Sequence, residues 1–319
     1  MNLPKLSYQK LLYFLLFIYL VWPSRFAVFR YENIAGEDIY DNLIKKTSKN
    51  LSLFHDKGVQ CDYSELLEEN HFFYKENSVT TSGVINQVEI KIGGEYWPEE
   101  CNPSFSTAVI IPYRNRARHL KLFLDYIHNY LRKQNIHYKI FVIEQEDDKP
   151  FNRAKLFNIG AKYAIKENFP CLVMQDVDLM PMNLGNIYAC TNRPRHMSSS
   201  IDIFRFTLPY YGLFGGAVAI SAETFVHING FSNLYQGWGG EDDDLYLRLV
   251  HKDYRIIRFH PSYAQWTMLQ HSKEPPSPDR NNLLKNGHLR FDTDGLNSLV
   301  YREVNVNKRP LYTNVLVDL

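Results

Sequence analysis

The stretch CLVMQDVD, residues 171–178, joins a short apolar run to two aspartates, and it decides how the surrounding sequence is interpreted. Its first part, residues 171–175, has the length and apolar character of one buried strand. Two further apolar runs precede it, TAVIIP at 107–112 and YKIFVIE at 138–144. We therefore predict three buried strands, each of which ends next to polar residues.

Helical periodicity fills the two gaps between these strands. The apolar residues at helical spacing are Leu120, Phe123, Leu124, Ile127 and Leu131 in the first gap, and Leu156, Ile159, Gly160 and Tyr163 in the second. The alternation of strand and helix predicts an α/β domain with a mainly parallel central sheet. In such sheets, ligands bind beyond the carboxyl ends of the strands.

Each predicted strand leads into residues that suit a nucleotide or a cation. The first leads into PYRNR (112–116) and the second into FNRAK (151–155). Arginine matches phosphate through its planar fork of donors, although surface salt bridges are an alternative use. Asp176 and Asp178 follow the third strand and could hold a divalent cation that bridges to phosphate oxygens. Both would face the same side if the strand continued through them.

A second acidic cluster lies in LYQGWGGEDDDLYLRLV, residues 234–250. A helix start accounts for one or two of the carboxylates at 241–244, because the positive end of the helix dipole favours them. It does not account for GWGG at 237–240, a flexible stretch that holds a large aromatic ring. A calcium-binding loop is excluded, because the alternating ligand spacing and the central glycine of such loops are absent.

Composition bounds the class of protein. The chain has 319 residues, 45% of them hydrophobic, which is ample for a core in one large or two smaller domains. It carries 36 basic and 35 acidic residues, for a net charge of +1. Because the charges nearly cancel, the protein has no overall positive electrostatic potential that would attract nucleic acid, and we expect no nucleic-acid partner.

The N-terminus contains the apolar run LLYFLLFIYLVW with lysines before it. A spanning helix needs about 17–25 residues, which this run reaches only when it is extended on both sides. We predict a cytoplasmic tail at 1–10, a signal-anchor transmembrane segment at 11–29, a luminal stem at 30–58 and a globular domain at 59–319. A cleaved signal peptide is the alternative, although no clear small-x-small cleavage site is present.

The cysteine count agrees with a luminal location. Four cysteines in an oxidising compartment favour two disulfides, with three possible pairings, and buried free thiols are the alternative. An N-glycosylation sequon begins at Asn50, within the predicted stem.

Longer motifs carry a family resemblance. FNRAKLFNIG, DVDLMPMN, FGGAVAIS, INGFSNLYQGWGGEDDDLYLRL and HSKEPPSP together resemble the β-1,4-galactosyltransferase family, glycosyltransferase family 7. GGEYWPEEC, DGLNSLVY and PLYTNVLVDL fit it too, so the resemblance covers roughly residues 59–319. It implies a GT-A (Rossmann-like) glycosyltransferase fold and a type II Golgi membrane protein. Members use Mn2+ to transfer galactose, or a related sugar, from a UDP-sugar to the 4-hydroxyl of a terminal GlcNAc with inversion.

The resemblance implies a metal set and a base. Asp178, Met268 and His271 match the metal ligands, although a thioether is a poor partner for hard Mn2+. Without the resemblance, Met268 would be interpreted as a core residue and His271 as an ordinary surface or core histidine. Asp242 matches the base that removes the proton of the acceptor hydroxyl, and Glu241 matches its acceptor-binding partner.

The other site residues implied by the resemblance form three groups. Donor contacts are Pro112, Tyr113, Arg114, Arg116, Phe151, Arg153, Asp176, Val177, Leu213, Gly216 and Trp238. Acceptor contacts are Tyr210, Gly239 and Gly240 together with Glu241 and Asp242. The implied disulfides are Cys61–Cys101 and Cys171–Cys190. Trp238 resembles the centre of a small mobile loop that closes over the donor and excludes water, and residues 269–287 resemble a longer loop that folds over after donor binding.

Leu213, just before FGG, predicts UDP-GalNAc rather than UDP-Gal as the preferred donor. In the family this position lies beside the 2-substituent of the donor sugar, and vertebrate galactose-transferring members commonly carry tyrosine there. Leucine or isoleucine is found in invertebrate members that transfer GalNAc. Leucine is shorter and leaves an apolar wall for the acetyl methyl group. The alternatives are a UDP-Gal-preferring enzyme of the same family, or donor choice set by Ile203 or Gly212 with Leu213 as packing.

Three departures from the family pattern concern substrate contacts. The long loop is about three residues shorter, Asn281 replaces an acceptor-contacting aromatic residue, and Ile203 replaces a lysine common near the donor. A catalytically inactive lectin-like protein is a remote alternative, which the intact metal and base residues disfavour. A metal-dependent phosphodiesterase would need a second set of ligands for a two-metal site, which we do not find. The expected acceptor is a GlcNAc-terminated glycoprotein or glycolipid.

Overall fold

A computed structural model describes residues 8–21, 31–52, 56–67, 90–271 and 275–319. The strands are β1 Glu95–Tyr96, β2 Ser106–Tyr113, β3 His137–Gln145, β4 Cys171–Gln175, β5 Leu179–Pro181, β6 Arg195–His196, β7 Ser200–Ile201, β8 Ala217–Ser221, β9 Gln265–Met268, β10 Arg302–Lys308 and β11 Thr313–Asp318. The α-helices are α1 Tyr8–Val21, α2 Ile39–Asn42, α3 Lys49–Ser52, α4 Ala117–Arg132, α5 Arg153–Lys166, α6 Ala222–His227, α7 Glu241–His251 and α8 Arg280–Lys285. Short 3-10 helices include Gly36–Asp38, Ser64–Leu67, Asp202–Phe204, Gly287–Leu289 and Leu296–Ser298.

The larger sheet is built on the three strands that the apolar runs predict. Strand β2 lies between β3 and β4 and pairs in parallel with both, while α4 and α5 form the two connections. The predicted α/β architecture with parallel central strands is therefore confirmed. The flanks were not predicted: β8 pairs antiparallel with β4, and the β10–β11 hairpin joins the opposite side, where β11 runs parallel to β3.

Two apolar cores lie on opposite faces of this sheet. All eight residues of β2 are buried, and its alternating side chains divide between the faces. Val109 packs in the core that includes Ile127 of α4, and Ile110 packs in the core that includes Phe157 of α5. Burial on both faces explains why the central strands appear in the sequence as continuous apolar runs.

A smaller sheet of order β5-β9-β7 lies next to the carboxyl end of β4. Strand β5 begins one residue after the DVD sequence, and its Leu179 pairs with Met268 of β9. This pairing places the segment that carries Met268 and His271 beside Asp178.

Part of the predicted stem packs against the globular domain. Ile39 is 0% exposed and Leu43 is 5% exposed, and both belong to an apolar core. The backbone N–H of Ile34 donates to the Arg258 carbonyl at 2.9 Å, and that of Ile44 donates to the Cys190 carbonyl at 2.8 Å. Packed structure thus begins well before residue 59, because a few scattered apolar side chains suffice to anchor a polar segment.

The remaining N-terminal features fall partly outside the described residues. No described helix combines the length and the apolar character needed to cross a membrane, and residues 22–29 of the predicted anchor lie outside the described ranges. Asn50 of the sequon lies in α3. The structure contains disulfides between Cys61 and Cys101 and between Cys171 and Cys190, the two pairs that the resemblance implies.

Candidate active site

The turn after β4 carries the DVD sequence. Strand β4 ends at Gln175, and the next residues turn so that Leu179 N–H donates to the Asp176 carbonyl at 3.2 Å. The strand does not continue through Asp176 and Asp178, so the condition under which both would face the same side is not met. The turn instead gives each carboxylate a different partner.

Asp178 lies at the centre of the predicted metal site. Its Oδ2 is 3.1 Å from His271 Nε2 and 2.9 Å from Arg116 Nη1. Arg116 Nη2 also lies 3.4 Å from His271 Nδ1, so one guanidinium contacts both predicted ligands. Burial and the neighbouring Asp176 raise the pKa of Asp178, and His271 and Arg116 oppose this rise. A buried carboxylate in this environment is stabilised by added positive charge, as a divalent cation would provide.

Met268 approaches the same place along β9. The next backbone N–H, that of Leu269, donates to the Asp178 carbonyl at 2.8 Å. The Asp202 carboxylate accepts from Met268 N–H at 3.2 Å and fixes this end of β9, a role that the sequence did not indicate. Across the described ranges, no group of three or more His, Cys, Asp or Glu side chains is arranged to hold a metal, so the predicted set needs the thioether as its third member.

Arg153 joins the two acidic segments. Its Nε lies 2.6 Å from Asp176 Oδ1, and its Nη1 lies 3.2 Å from Glu241 Oε1. Burial alone would lower the pKa of Arg153, but the carboxylates of Asp176, Glu241 and Asp242 raise it. The Asn152 side chain caps α5 by accepting from a backbone N–H, which fixes the helix turn that presents Arg153.

Asp242 lies in the first turn of α7 and packs against Gly215 of the FGG sequence. A β-carbon at Gly215 would lie 2.0 Å from Asp242 Oδ2, so the carboxylate occupies space that only glycine leaves open. Burial raises the pKa of Asp242 to about 7; Glu241 adds to this rise and Arg153 opposes it. A carboxyl group whose pKa lies near neutrality is suited to proton transfer.

The other carboxylates of the acidic run differ in how well they are paired. The Tyr210 hydroxyl donates to Asp243 Oδ1 at 2.7 Å, and Arg248 Nε donates to Asp244 Oδ2 at 2.7 Å. These two carboxylates hold neighbouring side chains in place. Glu241 Oε2, in contrast, is buried and has no hydrogen-bond partner within the described part of the chain.

The predicted nucleotide contacts lie where β2 ends and α5 begins. The Arg114 guanidinium lies 5.3 Å from the Phe151 ring centroid, and its Nη1 donates to the Lys149 carbonyl at 2.6 Å. Pro112 and Tyr113 are the last two residues of β2. This end of the site places an aromatic ring and a fixed guanidinium where a nucleotide could bind, the ring suiting the nucleobase and the guanidinium suiting the phosphates.

Two further predicted donor contacts lie within and next to the DVD turn. Val177 is 5% exposed, and the Gly216 carbonyl accepts from Asp176 N–H at 3.0 Å. Gly216 has a φ of +79°, a backbone conformation that favours glycine.

The loop before α7 is paired with the segment after His271. Trp238 N–H donates to the Pro275 carbonyl at 3.3 Å, and Ser277 N–H donates to the Trp238 carbonyl at 3.0 Å. The indole is 57% exposed, with the Arg280 guanidinium 5.0 Å from its ring. Gly239 and Gly240 follow with positive φ values of 102° and 97°, and Gly240 is the N-cap residue of α7.

Comparison with known proteins identifies the family. A family model described as the N-terminal region of glycosyl transferase group 7 matches residues 63–191, and one described as the N-terminal domain of galactosyltransferase matches 195–272. Over 230 residues the chain is 44% identical to β-1,4-galactosyltransferase 4 of Cricetulus griseus. The aligned region covers 71% of this chain and 67% of that protein. The chain belongs to the β-1,4-galactosyltransferase family.

Other relatives agree with this membership. The chain is 46% identical to β-1,4-galactosyltransferase 1 of Mus musculus over 235 residues, or 72% of this chain. That alignment covers 59% of the mouse protein, so the chain spans about three fifths of its relative's length. A crystal structure of Drosophila β-1,4-galactosyltransferase 7, 24% identical, superposes with a TM-score of 0.59 over 67% of this chain and 94% of the other, which shows a shared fold.

Proposed function

We propose that the chain is a Mn2+-dependent, inverting β-1,4-glycosyltransferase that moves a sugar from UDP to the 4-hydroxyl of a terminal GlcNAc. The observation that carries this proposal is the bridge made by Arg153. It joins Asp176, two residues from the predicted metal ligand Asp178, to Glu241, which adjoins the predicted base Asp242. A donor site and an acceptor site would therefore share one wall, as direct transfer between two substrates requires.

The donor side would bind the UDP-sugar through its diphosphate. Asp178, His271 and Met268 would hold Mn2+, which, when bound, supplies charge that stabilises the departing diphosphate. Arg116 would then exchange its contacts with Asp178 and His271 for diphosphate oxygens, because the guanidinium fork can donate to two phosphate oxygens at once. A solved structure of Drosophila β-1,4-galactosyltransferase 7 contains manganese and UDP-Gal, which supports this choice of metal and nucleotide.

The acceptor side would provide the base. Glu241 would orient the GlcNAc, and Asp242 would take the proton of the 4-hydroxyl as that hydroxyl oxygen bonds to the donor's anomeric carbon. The bond from the anomeric carbon to the diphosphate breaks on the opposite face, which inverts the configuration. Trp238 would cover the donor and exclude water that would otherwise hydrolyse it.

Galactose is the donor sugar that the comparisons favour. The relatives at 44% and 46% identity are both named β-1,4-galactosyltransferases, which supports UDP-Gal. One residue favours UDP-GalNAc as a second candidate: Leu213, half-buried in the loop before FGG, is short enough to leave room for an N-acetyl group. Steric discrimination of this kind is worth about 1–3 kcal/mol, so both sugars should be used to some extent.

The cellular setting completes the proposal. We infer a single-pass type II protein of the Golgi membrane, anchored by residues 11–29, with its catalytic domain in the lumen. The acceptor would be a GlcNAc-terminated glycoprotein or glycolipid.

A donor screen tests the reaction. Detergent-solubilised full-length chain is incubated with Mn2+, a GlcNAc acceptor and UDP-Gal, UDP-GalNAc or UDP-GlcNAc in turn, and the product linkage is read by NMR. We expect a β-1,4-linked product from UDP-Gal, UDP-GalNAc or both. No product from any of the three donors would overturn the proposal.

The same assay decides the donor. Leu213→Tyr should move the ratio of kcat/KM values toward UDP-Gal by about 10-fold or more, because the larger side chain crowds the N-acetyl group. A ratio that the substitution leaves unchanged would show that Leu213 does not select the donor, and the transferase assignment would stand.

A further inference from the structure

One buried arginine lies beneath the loop at residues 210–216. Arg258 is 2% exposed, and its Nη2 donates to the Tyr211 carbonyl at 2.7 Å and to the Leu213 carbonyl at 2.9 Å. Within the described ranges, Arg258 forms no ion pair with a carboxylate. A buried guanidinium without a counter-charge is costly unless other groups satisfy its donors, and here two loop carbonyls do so.

A histidine extends this contact to the glycine beside Asp242. Arg258 Nε donates to His196 Nδ1 at 3.2 Å, so that ring nitrogen carries no proton. His196 Nε2–H then donates to the Gly215 carbonyl at 3.0 Å, and the Ser198 hydroxyl donates to the same oxygen at 3.0 Å. Burial and the Arg258 charge lower the pKa of His196 far below its usual value, so the imidazole stays neutral and keeps this tautomer.

An aromatic ring from the predicted stem contacts the same guanidinium. Arg258 lies 5.0 Å from the Tyr31 ring centroid and 5.7 Å from that of Tyr211. The Ile34 N–H donates to the Arg258 carbonyl, which holds the N-terminal segment against the arginine. Tyr31 therefore reaches the underside of the loop although it lies far from it in sequence.

We propose that Arg258, supported by Tyr31, is a positioning residue that fixes the 210–216 loop for sugar transfer. It holds Leu213 in place beside the donor sugar and, through His196, holds Gly215 in place beside Asp242. The inference rests on the proposed function, because those two positions matter only if the loop meets a donor sugar and a base. It also gives part of the predicted stem a task in the active site.

Arginine is the residue type that this role requires. Its planar fork reaches two carbonyls and an imidazole at fixed angles, whereas lysine offers one nitrogen on a flexible stem. Arg258→Lys keeps the charge and the approximate volume, but it loses the fixed geometry. Tyr31→Ala removes the supporting ring and leaves the polar contacts of Arg258 in place.

Three full-length variants test the inference: Arg258→Lys, Tyr31→Ala and, as a matched control, Arg255→Lys, which changes an exposed arginine of the same segment. For Arg258→Lys we expect kcat to fall by about 10–100-fold, the loss typical of a displacement of about 1 Å, and the UDP-GalNAc to UDP-Gal ratio to move toward one. UDP–Mn2+ affinity, measured by calorimetry, should stay within about twofold, because the predicted nucleotide contacts lie on other segments. Tyr31→Ala should act in the same direction, and Arg255→Lys should match the wild type.

Hydrogen exchange supplies a readout that does not depend on transfer. Amides of residues 210–217 should exchange at least about tenfold faster in Arg258→Lys, while those of β2 and β3 keep their protection. Wild-type kinetics and exchange in both Arg258→Lys and Tyr31→Ala would overturn the inference, as would a loss of UDP–Mn2+ affinity in proportion to kcat. A wild-type chain that transfers no sugar would instead remove the proposed function, and local exchange would still decide whether Arg258 fixes the loop. If Arg258→Lys does not fold, Tyr31→Ala decides by the same measurements.

Discussion

Asp242 and Asp244 lie in the same helical turn, yet their surroundings differ. Asp244 is 0% exposed and accepts from Arg248 Nε at 2.7 Å and from Arg290 Nη2 at 3.3 Å. Asp242 packs against Gly215, and the described residues place no lysine or arginine in ion-pair contact with it. One carboxylate is fully paired, and the other is held in a position where it has few partners.

This difference shows that neighbours, and not residue type, assign roles within an acidic run. Burial raises the pKa of Asp244, and Arg248 and Arg290 oppose it, so that charge serves to hold the helix against the C-terminal segment. Burial and Glu241 raise the pKa of Asp242 to about 7, and Arg153 opposes them only in part. Because its pKa lies near neutrality, Asp242 is the carboxylate of the two that is suited to accept and release a proton.

Removing the metal with a chelator should have the largest effect, because it should stop sugar transfer and leave the Asp244 cluster intact. EDTA should abolish transfer and Mn2+ should restore it, because the diphosphate has no other divalent cation to stabilise its departure. The Asp244 cluster needs no metal, so far-UV circular dichroism should show a folded chain in both conditions. His271→Ala should raise the Mn2+ concentration needed for half-maximal activity. Full transfer by metal-free enzyme in chelator would contradict the assigned metal site.

Asp244→Ala should affect stability rather than chemistry. It leaves the buried Arg248 guanidinium without its main partner, a change that typically costs about 3–5 kcal/mol. Urea unfolding measures the loss. Asp292→Ala, which removes an exposed partner of Lys252, is the control and should leave the unfolding midpoint in place. Equal midpoints for both variants would show that the buried cluster does not stabilise α7.

Gly215→Ala should affect chemistry rather than stability. The new methyl group would overlap Asp242 Oδ2, so the carboxylate must shift, and a displacement of about 1 Å can lower kcat by about 10²-fold. Steady-state kinetics give kcat, and thermal unfolding checks that the chain stays folded. A wild-type kcat would mean that Asp242 does not need its present position.

The smallest of these effects is expected in the pH dependence of activity and stability, which should distinguish Asp242 from Asp244. The base must be ionised, so kcat/KM should fall about tenfold for each pH unit below about 7. Stability should run the other way: a carboxyl whose pKa is raised on folding contributes stability below its unfolded pKa of 3.8, and this contribution is lost as pH rises through about 7. Asp242→Asn should remove that part of the stability slope. A slope that persists in the variant would assign it to another group.

Much of the fold could be predicted from the sequence, because strands buried on both faces appear as continuous apolar runs. The bounds of β4 match the predicted run, and β2 and β3 extend theirs by one residue at each end. Asp178 and His271, far apart in the chain, meet as the resemblance implies. The identity of the donor sugar and the role of Leu213 stay predictions.

The rest could not be predicted, because it depends on contacts between segments that are distant in sequence. The contacts of Arg258 with the loop at 210–216 and with Tyr31 follow no local periodicity, and a buried arginine carries no signal of its own. The turn at Asp176 breaks a strand that spacing alone would continue. The different partners of Asp242 and Asp244 likewise depend on which segments reach each side of α7.

The most direct test of the division between the two carboxylates is the transfer rate of Asp242→Asn at saturating donor and acceptor. The substitution keeps the shape of the side chain and removes its ability to take a proton. We expect kcat to fall by about 10²–10⁴-fold, with UDP-sugar affinity in Mn2+ close to that of the wild type, because donor binding does not use this carboxylate. A wild-type transfer rate would contradict the assignment of Asp242 as the base and would make Glu241 the next residue to test.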